Sequence, residues 1–235
     1  YEAAFEQLAN IVSALNFDLG AMLDVSGERM HLVDGTGAQV PQMKAVAAMT
    51  RLVFTQHPGA TVAVPVDAPS VFETLAAAHG GTILRTRLDS QSLMVAAQKD
   101  DVRLGGDGRG RIIFPDFHST FDGMFGLVKL LELLSRERTT LHEVVADLPV
   151  WHIKETDVAC PWDKKGRVMR LLGEQYRERR VRTLDGIKIQ LGEDWVLILP
   201  DPDEPQFHLV AEAQSDDEAE VLVNKYAEIV TGLRQ

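Results

Sequence analysis

The chain is expected to be an α/β protein, with a parallel or mixed sheet flanked by helices and followed by a small α+β domain. Three observations predict this. From residue 60 to residue 98, a strand-like run, a helical run, a second strand and a second helix follow in turn. Joining parallel strands takes a crossover of that kind. Beyond Gly186 the order changes to successive strands closed by one helix, the pattern of an α+β unit. Hydrophobic residues make up 45% of the 235 positions and charged residues 25%, which is ordinary for a globular protein.

The elements follow in order. Glu2 to Asn16 is an amphipathic helix, because Phe5, Leu8, Val12 and Leu15 recur at helical spacing. Leu19 to Val25 is a strand, and His31-Leu32-Val33 is another, closed by the turn Asp34-Gly35-Thr36-Gly37. Met43 to Phe54 is helical and Ala60 to Val66 is an apolar strand. Ser70 and Glu73 have the spacing of a capping box. The helix they open ends at Gly80-Gly81, where left-handed backbone is easy. Thr82 to Leu88 is a strand, Ser90 to Gln98 a helix and Arg111 to Phe114 a strand. The helix from Asp122 to Ser135 carries apolar residues around most of its circumference and is expected to be buried. Thr140 and Glu143 form a second capping box. Pro149, Cys160-Pro161 and Gly166 then punctuate a polar stretch that reads as a linker. Arg167 to Arg179 is helical, and Gly186 to Gln190, Trp195 to Leu199 and Phe207 to Ala213 are strands. Ser215 caps a final helix whose apolar side holds Val221, Leu222, Tyr226 and Ile229.

Charge and cysteine usage exclude some functions. The formal net charge is -11, so the chain repels phosphate backbones and no nucleic-acid role is expected. The densest basic run, Arg177, Arg179, Arg180 and Arg182, reads as a helix end whose cations suit the C-terminal dipole. One cysteine, Cys160, leaves no internal disulfide framework and fits a reducing, cytoplasmic compartment. No apolar run has the length of a membrane span. A start at Tyr1, with neither Met nor a signal peptide, reads as a fragment of something longer.

Three loops carry the residues of chemical interest. Asp24, Ser26 and Glu28, followed by Arg29, lie between two strands. A glycine-rich stretch holds Asp107, Arg109 and Arg111 and leads toward Asp122-Gly123. Near the end, Leu199-Pro200-Asp201-Pro202-Asp203-Glu204-Pro205 joins two strands, with His208 just beyond. The glycine spacing is wrong for a dinucleotide loop, and the loop precedes a strand rather than a helix.

In that order and spacing these loops resemble those of the phosphohexomutase superfamily, which includes phosphomannomutase and phosphoglucomutase. The resemblance covers essentially the whole chain. It implies residues 1–39 as the remnant of a second mutase-like α/β domain, 40–150 as a third and 151–235 as the C-terminal α+β domain. The serine loop that carries the transferred phosphate belongs to a first domain that this chain does not contain. The family's metal loop presents three aspartates; here they match Asp24, Ser26 and Glu28, and magnesium tolerates such changes poorly. The sugar-reading loop, usually Gly-Glu-x-Ser-Gly-His, matches Asp107, Arg109 and Arg111. Two arginines there suit an anion held in a different way. A further segment keeps a cation at Arg87.

The family's phosphate loop, Arg-Pro-Ser-Gly-Thr-Glu-Pro, has lost its arginine and exchanged both hydroxyls for Asp201 and Asp203. Pro202 replaces glycine and removes an N–H donor. No catalytic residue is therefore assigned, no cofactor is expected, and any magnesium site is a weakened one. The expected role is a degenerate mutase module, structural or regulatory, in a chain resembling mannose-1-phosphate guanylyltransferase-type fusions. Its partners would be upstream domains of the same polypeptide, a hexose phosphate or nucleotide sugar, and a second copy in a homo-oligomer. Two alternatives stand beside it: the second half of a working hexose-phosphate mutase, and a sensor that binds a sugar phosphate or nucleotide sugar through Arg109 and Arg111.

Overall fold

The computed structural model describes residues 2–176 and 181–234. Their contacts gather residues 1–149 into one compact unit and 150–235 into a second. The basic run at Arg177, Arg179 and Arg180 lies outside the described residues, as does the side chain of Arg182.

The first unit opens with helix α1 (Glu2–Leu15), then strands β1 (Leu19–Leu23), β2 (Met30–Asp34) and β3 (Gln39–Val40) in an antiparallel sheet of order β1-β2-β3. Gly20 lets α1 lie close on β1: a Cβ there would stand 2.6 Å from Val12 Cγ2. Helix α2 (Gln42–Gln56) leads into β4 (Thr61–Pro65), α3 (Val71–His79), β5 (Thr82–Thr86), α4 (Ser90–Ala97), β6 (Val102–Gly106) and β7 (Ile112–Ile113). The second sheet has order β5-β4-β6-β7, with β4 parallel to both β5 and β6, and β7 antiparallel. Helices cover both faces. A Cβ on Gly105 would meet Leu93 of α4, whereas one on its neighbour Gly106 would stand 2.6 Å from Val46 of α2. Successive strand residues point to opposite faces, so α2 and α4 sandwich β6. Helices α5 (Gly123–Glu137) and α6 (Leu141–Ala146) complete the unit.

The second unit contains β8 (His152–Ala159), α7 (Trp162–Gln175), β9 (Val181–Arg182), β10 (Ile187–Leu191), β11 (Asp194–Pro200), β12 (Gln206–Ala213) and α8 (Asp216–Leu233). Its five strands form an antiparallel sheet in the order β8-β12-β11-β10-β9. Val168 and Leu172 of α7 and Val223, Tyr226 and Val230 of α8 pack with Ile189, Ile198, Phe207 and Leu209 of the sheet. The turn at Gly192 takes a positive φ of 78°, which glycine adopts without strain.

Several sequence expectations need correction. Strand β6 was hidden because two of its five residues are glycines; at one of them, Gly106, α2 leaves no room for a side chain. Strand β8 was read as part of a linker. Among the described residues it is an edge strand paired with β12 alone, and its run of charged and polar residues, Lys154 to Asp157, suits an exposed edge. Helix α7 begins at Trp162, with Gly166 inside it. Helix α5 is not buried all round, because Met124, Val128 and Leu131 are exposed. Ser70 sits in helical geometry and its side chain does not cap α3. Glu73 instead pairs with Arg85, at 2.6 Å. Thr140 does form its capping box with Glu143, and Ser215 does cap α8.

One buried carboxylate ties the small sheet to the rest of its unit. Asp34 Oδ1 accepts from Thr36 N, Thr36 Oγ1 and Ala38 N at 2.9, 2.6 and 3.1 Å, and Oδ2 contacts His142 Nδ1 of α6 at 2.9 Å. Burial pushes this carboxyl up, but the bonds from Thr36, His142 and Ala38 together outweigh it and hold it below the usual range. A depressed carboxyl stabilises the fold above its unfolded value and loses that effect as pH falls through the folded one. Asp34→Asn is expected to cost about 2 kcal/mol at neutral pH, the scale of hydrogen bonds to a charged group. Urea unfolding would show that cost shrinking below about pH 4.

Candidate functional site

In the first unit, three chain segments meet beyond the C-terminal end of β6. Met30 N donates to Gly110 O at 2.8 Å, Asp122 N to Ile112 O at 3.0 Å and Gly123 N to Gly27 O at 2.8 Å. Arg29 and Arg111 form an isolated antiparallel bridge. The loop at 24–29, the glycine-rich loop and the start of α5 are thus bound backbone to backbone. Gly123 is required at this junction, since a Cβ there would stand 2.8 Å from Gly27 O.

Asp24 is turned inward on its own loop. Its carboxylate accepts from Ser26 Oγ at 2.9 and 3.0 Å, from Glu28 N at 3.0 Å and from Arg29 N at 3.2 Å. Burial raises this carboxyl, and the bonds from Arg29, Ser26 and Glu28 outweigh it, leaving it below the usual range. Ser26 spends its hydroxyl on Asp24. Among the described residues no group of three or more His, Cys, Asp or Glu side chains is arranged to hold a metal ion. The oxygen donors that this loop presents are the carboxylates of Asp24 and Glu28 and the hydroxyl of Ser26.

The glycine-rich loop is built in the same way. Gly108 and Gly110 take positive φ values of 68° and 93°. The buried Asp107 accepts from Arg109 N at 2.8 Å and Arg111 N at 3.0 Å. Its other oxygen accepts from Arg111 Nε at 2.6 Å. Arg111 also donates to Ser90 Oγ at 2.8 Å and lies 4.5 Å over the Phe121 ring. These contacts on three sides fix the orientation of the guanidinium. Arg109 is half exposed and reaches Asp67 at 3.3 Å. Arg87 stands 3.6 Å from Asp89 and is more exposed still; Arg29 is exposed too. The Asp89 carboxylate caps α4 through Ser92, whose hydroxyl and N–H hold it below the usual range. Asp67, Ser90 and Phe121 are the partners that loop-by-loop reading of the sequence does not reveal, because each lies far along the chain from the arginine it meets.

In the second unit, Asp201 occupies its own loop. Its Oδ1 accepts from Asp203 N at 2.9 Å and Glu204 N at 3.0 Å, and its Oδ2 accepts from Gln206 Nε2 at 3.1 Å. The bonds from Asp203, Gln206 and Glu204 hold this carboxyl below the usual range. Lys165, buried on α7, donates to the backbone oxygens of Asp201, at 2.6 Å, and Glu204. The Lys165 ammonium stands 3.7 Å from the centre of the Trp162 ring. A lysine inside a helical run gave no sign of this contact in the sequence. His208 faces two carboxylates, Asp157 at 2.8 Å and Glu155 at 3.5 Å. Hydrogen bonding to Glu155, opposed by burial and helped by Asp157, raises it to about 9.

Comparison with known proteins identifies the fold. Residues 42–150 match the family described as phosphoglucomutase/phosphomannomutase, alpha/beta/alpha domain III. A probable phosphoglucosamine mutase from Methanopyrus kandleri is 30% identical over 227 residues, which is 96% of this chain and 50% of that one. One from Methanocella arvoryzae is 30% identical over 226 residues, 95% of this chain and 50% of that one. The crystal structure of a phosphoglucomutase/phosphomannomutase family protein from Burkholderia thailandensis superposes with a TM-score of 0.81 at 18% identity, covering 100% of this chain and 52% of that one. The chain belongs to the phosphohexomutase superfamily and carries the C-terminal half of its fold. It spans about half the length of the curated relatives it matches.

Two outcomes are expected. Gly123→Ala should destabilise the first unit by about 1–3 kcal/mol, because the methyl meets a backbone oxygen that cannot swing away; thermal unfolding measures it. His208 has a raised value, so its contribution is complete below the unfolded value of about 6.5 and is lost as pH rises to about 9. His208→Gln should therefore cost about 1 kcal/mol at mildly acidic pH, the scale of partly exposed ion pairs. Denaturant curves at successive pH values should show that cost fading above neutrality.

Proposed function

We propose that this chain is a phosphohexomutase module without catalysis, kept as a structural or regulatory domain beside other domains of a sugar-nucleotide-forming protein of the mannose-1-phosphate guanylyltransferase type. One observation carries the reading: the Asp201 carboxylate accepts the Asp203 and Glu204 N–H groups of the phosphate loop. Those are donors that a phosphate would otherwise draw on. An anion already sits there as part of the chain. The Asp107–Arg111 pair and the internally bonded Asp24 loop point the same way. Cys160 is buried, and burial pushes its thiol up, as suits an inert thiol in a reducing cytoplasm.

A second reading has a specific observation behind it. Arg29, Arg87 and Arg109 are solvent-accessible side chains of the first unit, and exposed guanidinium groups bind sugar phosphates. Thermal unfolding with glucosamine 6-phosphate, glucose 1,6-bisphosphate, GDP-mannose and magnesium separates the two. A ligand at a hundredfold its dissociation constant stabilises by about 2.7 kcal/mol. No shift with any of them is expected. A shift with a sugar phosphate that Arg109→Ala removes would replace the structural module with a sensor.

A further inference from the structure

An open cavity of the second unit lies beside the Asp201 loop and outside it. Its volume is about 890 Å³, within the usual range of small-molecule sites. Four pieces of chain wall it: the turn after β8, the first turn of α7, Pro205, and Arg234 at the end of α8. Hydrogen bonds join these pieces. Cys160 N donates to Pro205 O at 2.6 Å, and the Arg234 guanidinium donates to Ala159 O. The walls are therefore fixed by the fold before anything enters.

The lining combines an aromatic plane with two cations. Trp162 is 54% exposed, a large apolar surface to leave in water. Lys165 lies over one face of its ring, so the other face is open to a second flat group. Lys164 and Arg234 line the same cavity, both half-buried. Among the described residues neither forms an ion pair. Acidic residues outnumber basic ones by 35 to 24 along the chain, yet these two cations have no carboxylate beside them. Asp163 is the acidic member of the wall, and it is exposed. Lys164 and Arg234 less Asp163 leave the lining one net positive charge.

We propose that this cavity binds a small aromatic carboxylate, with its ring stacked on the open face of Trp162 and its carboxylate held by Arg234 and Lys164. A guanidinium fork matches a planar carboxylate, and offset aromatic rings attract beyond the area they bury. A single negative charge balances the lining, whereas the two or more charges of a nucleotide exceed it and meet Asp163. The site belongs to the second unit, so it stands or falls apart from any sugar phosphate bound through Arg109 in the first.

The test titrates the 235-residue chain with naphthoate and, separately, with uncharged naphthamide and with guanosine monophosphate. Calorimetry gives the affinities. The indole N–H resonance of Trp162, identified by its loss in Trp162→Phe, reports where the ring sits. Naphthoate is expected to saturate with a dissociation constant of about 1 mM or lower and to shift that resonance. Naphthamide should bind about tenfold more weakly, having lost the charge that strengthens the guanidinium bond. Trp162→Ala should weaken naphthoate by about tenfold, and Arg234→Gln with Lys164→Gln should remove most of its advantage over naphthamide. That advantage is read on the unaltered chain, so it does not depend on how a variant folds. No saturable binding at about 10 mM naphthoate, equal affinity for naphthamide, an unmoved Trp162 resonance, indifference to Trp162→Ala, or guanosine monophosphate bound as tightly as naphthoate would overturn the proposal.

Discussion

Aspartate carboxylates turned back on the N–H groups of their own loops set the geometry of this molecule's functional regions. Asp24, Asp34, Asp107 and Asp201 each accept two backbone N–H bonds from residues two to five positions further on. Each satisfies donors that a turn would otherwise leave to water or to a ligand. The loops are consequently compact without any bound group. The same bonds engage N–H groups of these loops within the chain itself.

The remaining charges follow from that arrangement. Arg111 is drawn to the carboxylate that shapes its loop and to Ser90, and Phe121 covers its face. Lys165 neutralises the carbonyl side of the Asp201 loop while its ammonium rests on an indole ring. His208 is balanced by Glu155 and Asp157. Each of these three cations is held by neighbours in the chain.

Much of the fold was legible in the sequence because periodicity and capping are local. The crossover from β4 through α3 to β5, the box at Thr140 and the cap at Ser215 all depend on residues a few positions apart. What escaped depends on distance along the chain. Gly105 and Gly106 looked like loop residues until α2 and α4 were placed on either side of them. The largely polar run of His152 to Ala159 makes sense as a strand only once β12 lies beside it. The candidate site divided in the same way. Its loops could be found from their order and glycines, whereas the Arg109–Asp67 pairing and the reach of Lys165 span dozens of residues and leave no local trace.

Lys165 has a consequence for how this loop can change over evolutionary time. Its ammonium is fixed on the carbonyls of Asp201 and Glu204, on the backbone side of the loop. A serine at position 201 would clear the N–H groups but would leave Leu199 where the loop it resembles has arginine and Pro202 where that loop has glycine. The loop is closed from both sides, its N–H groups by a carboxylate and its carbonyls by an ammonium, so a change at either residue unbalances the other.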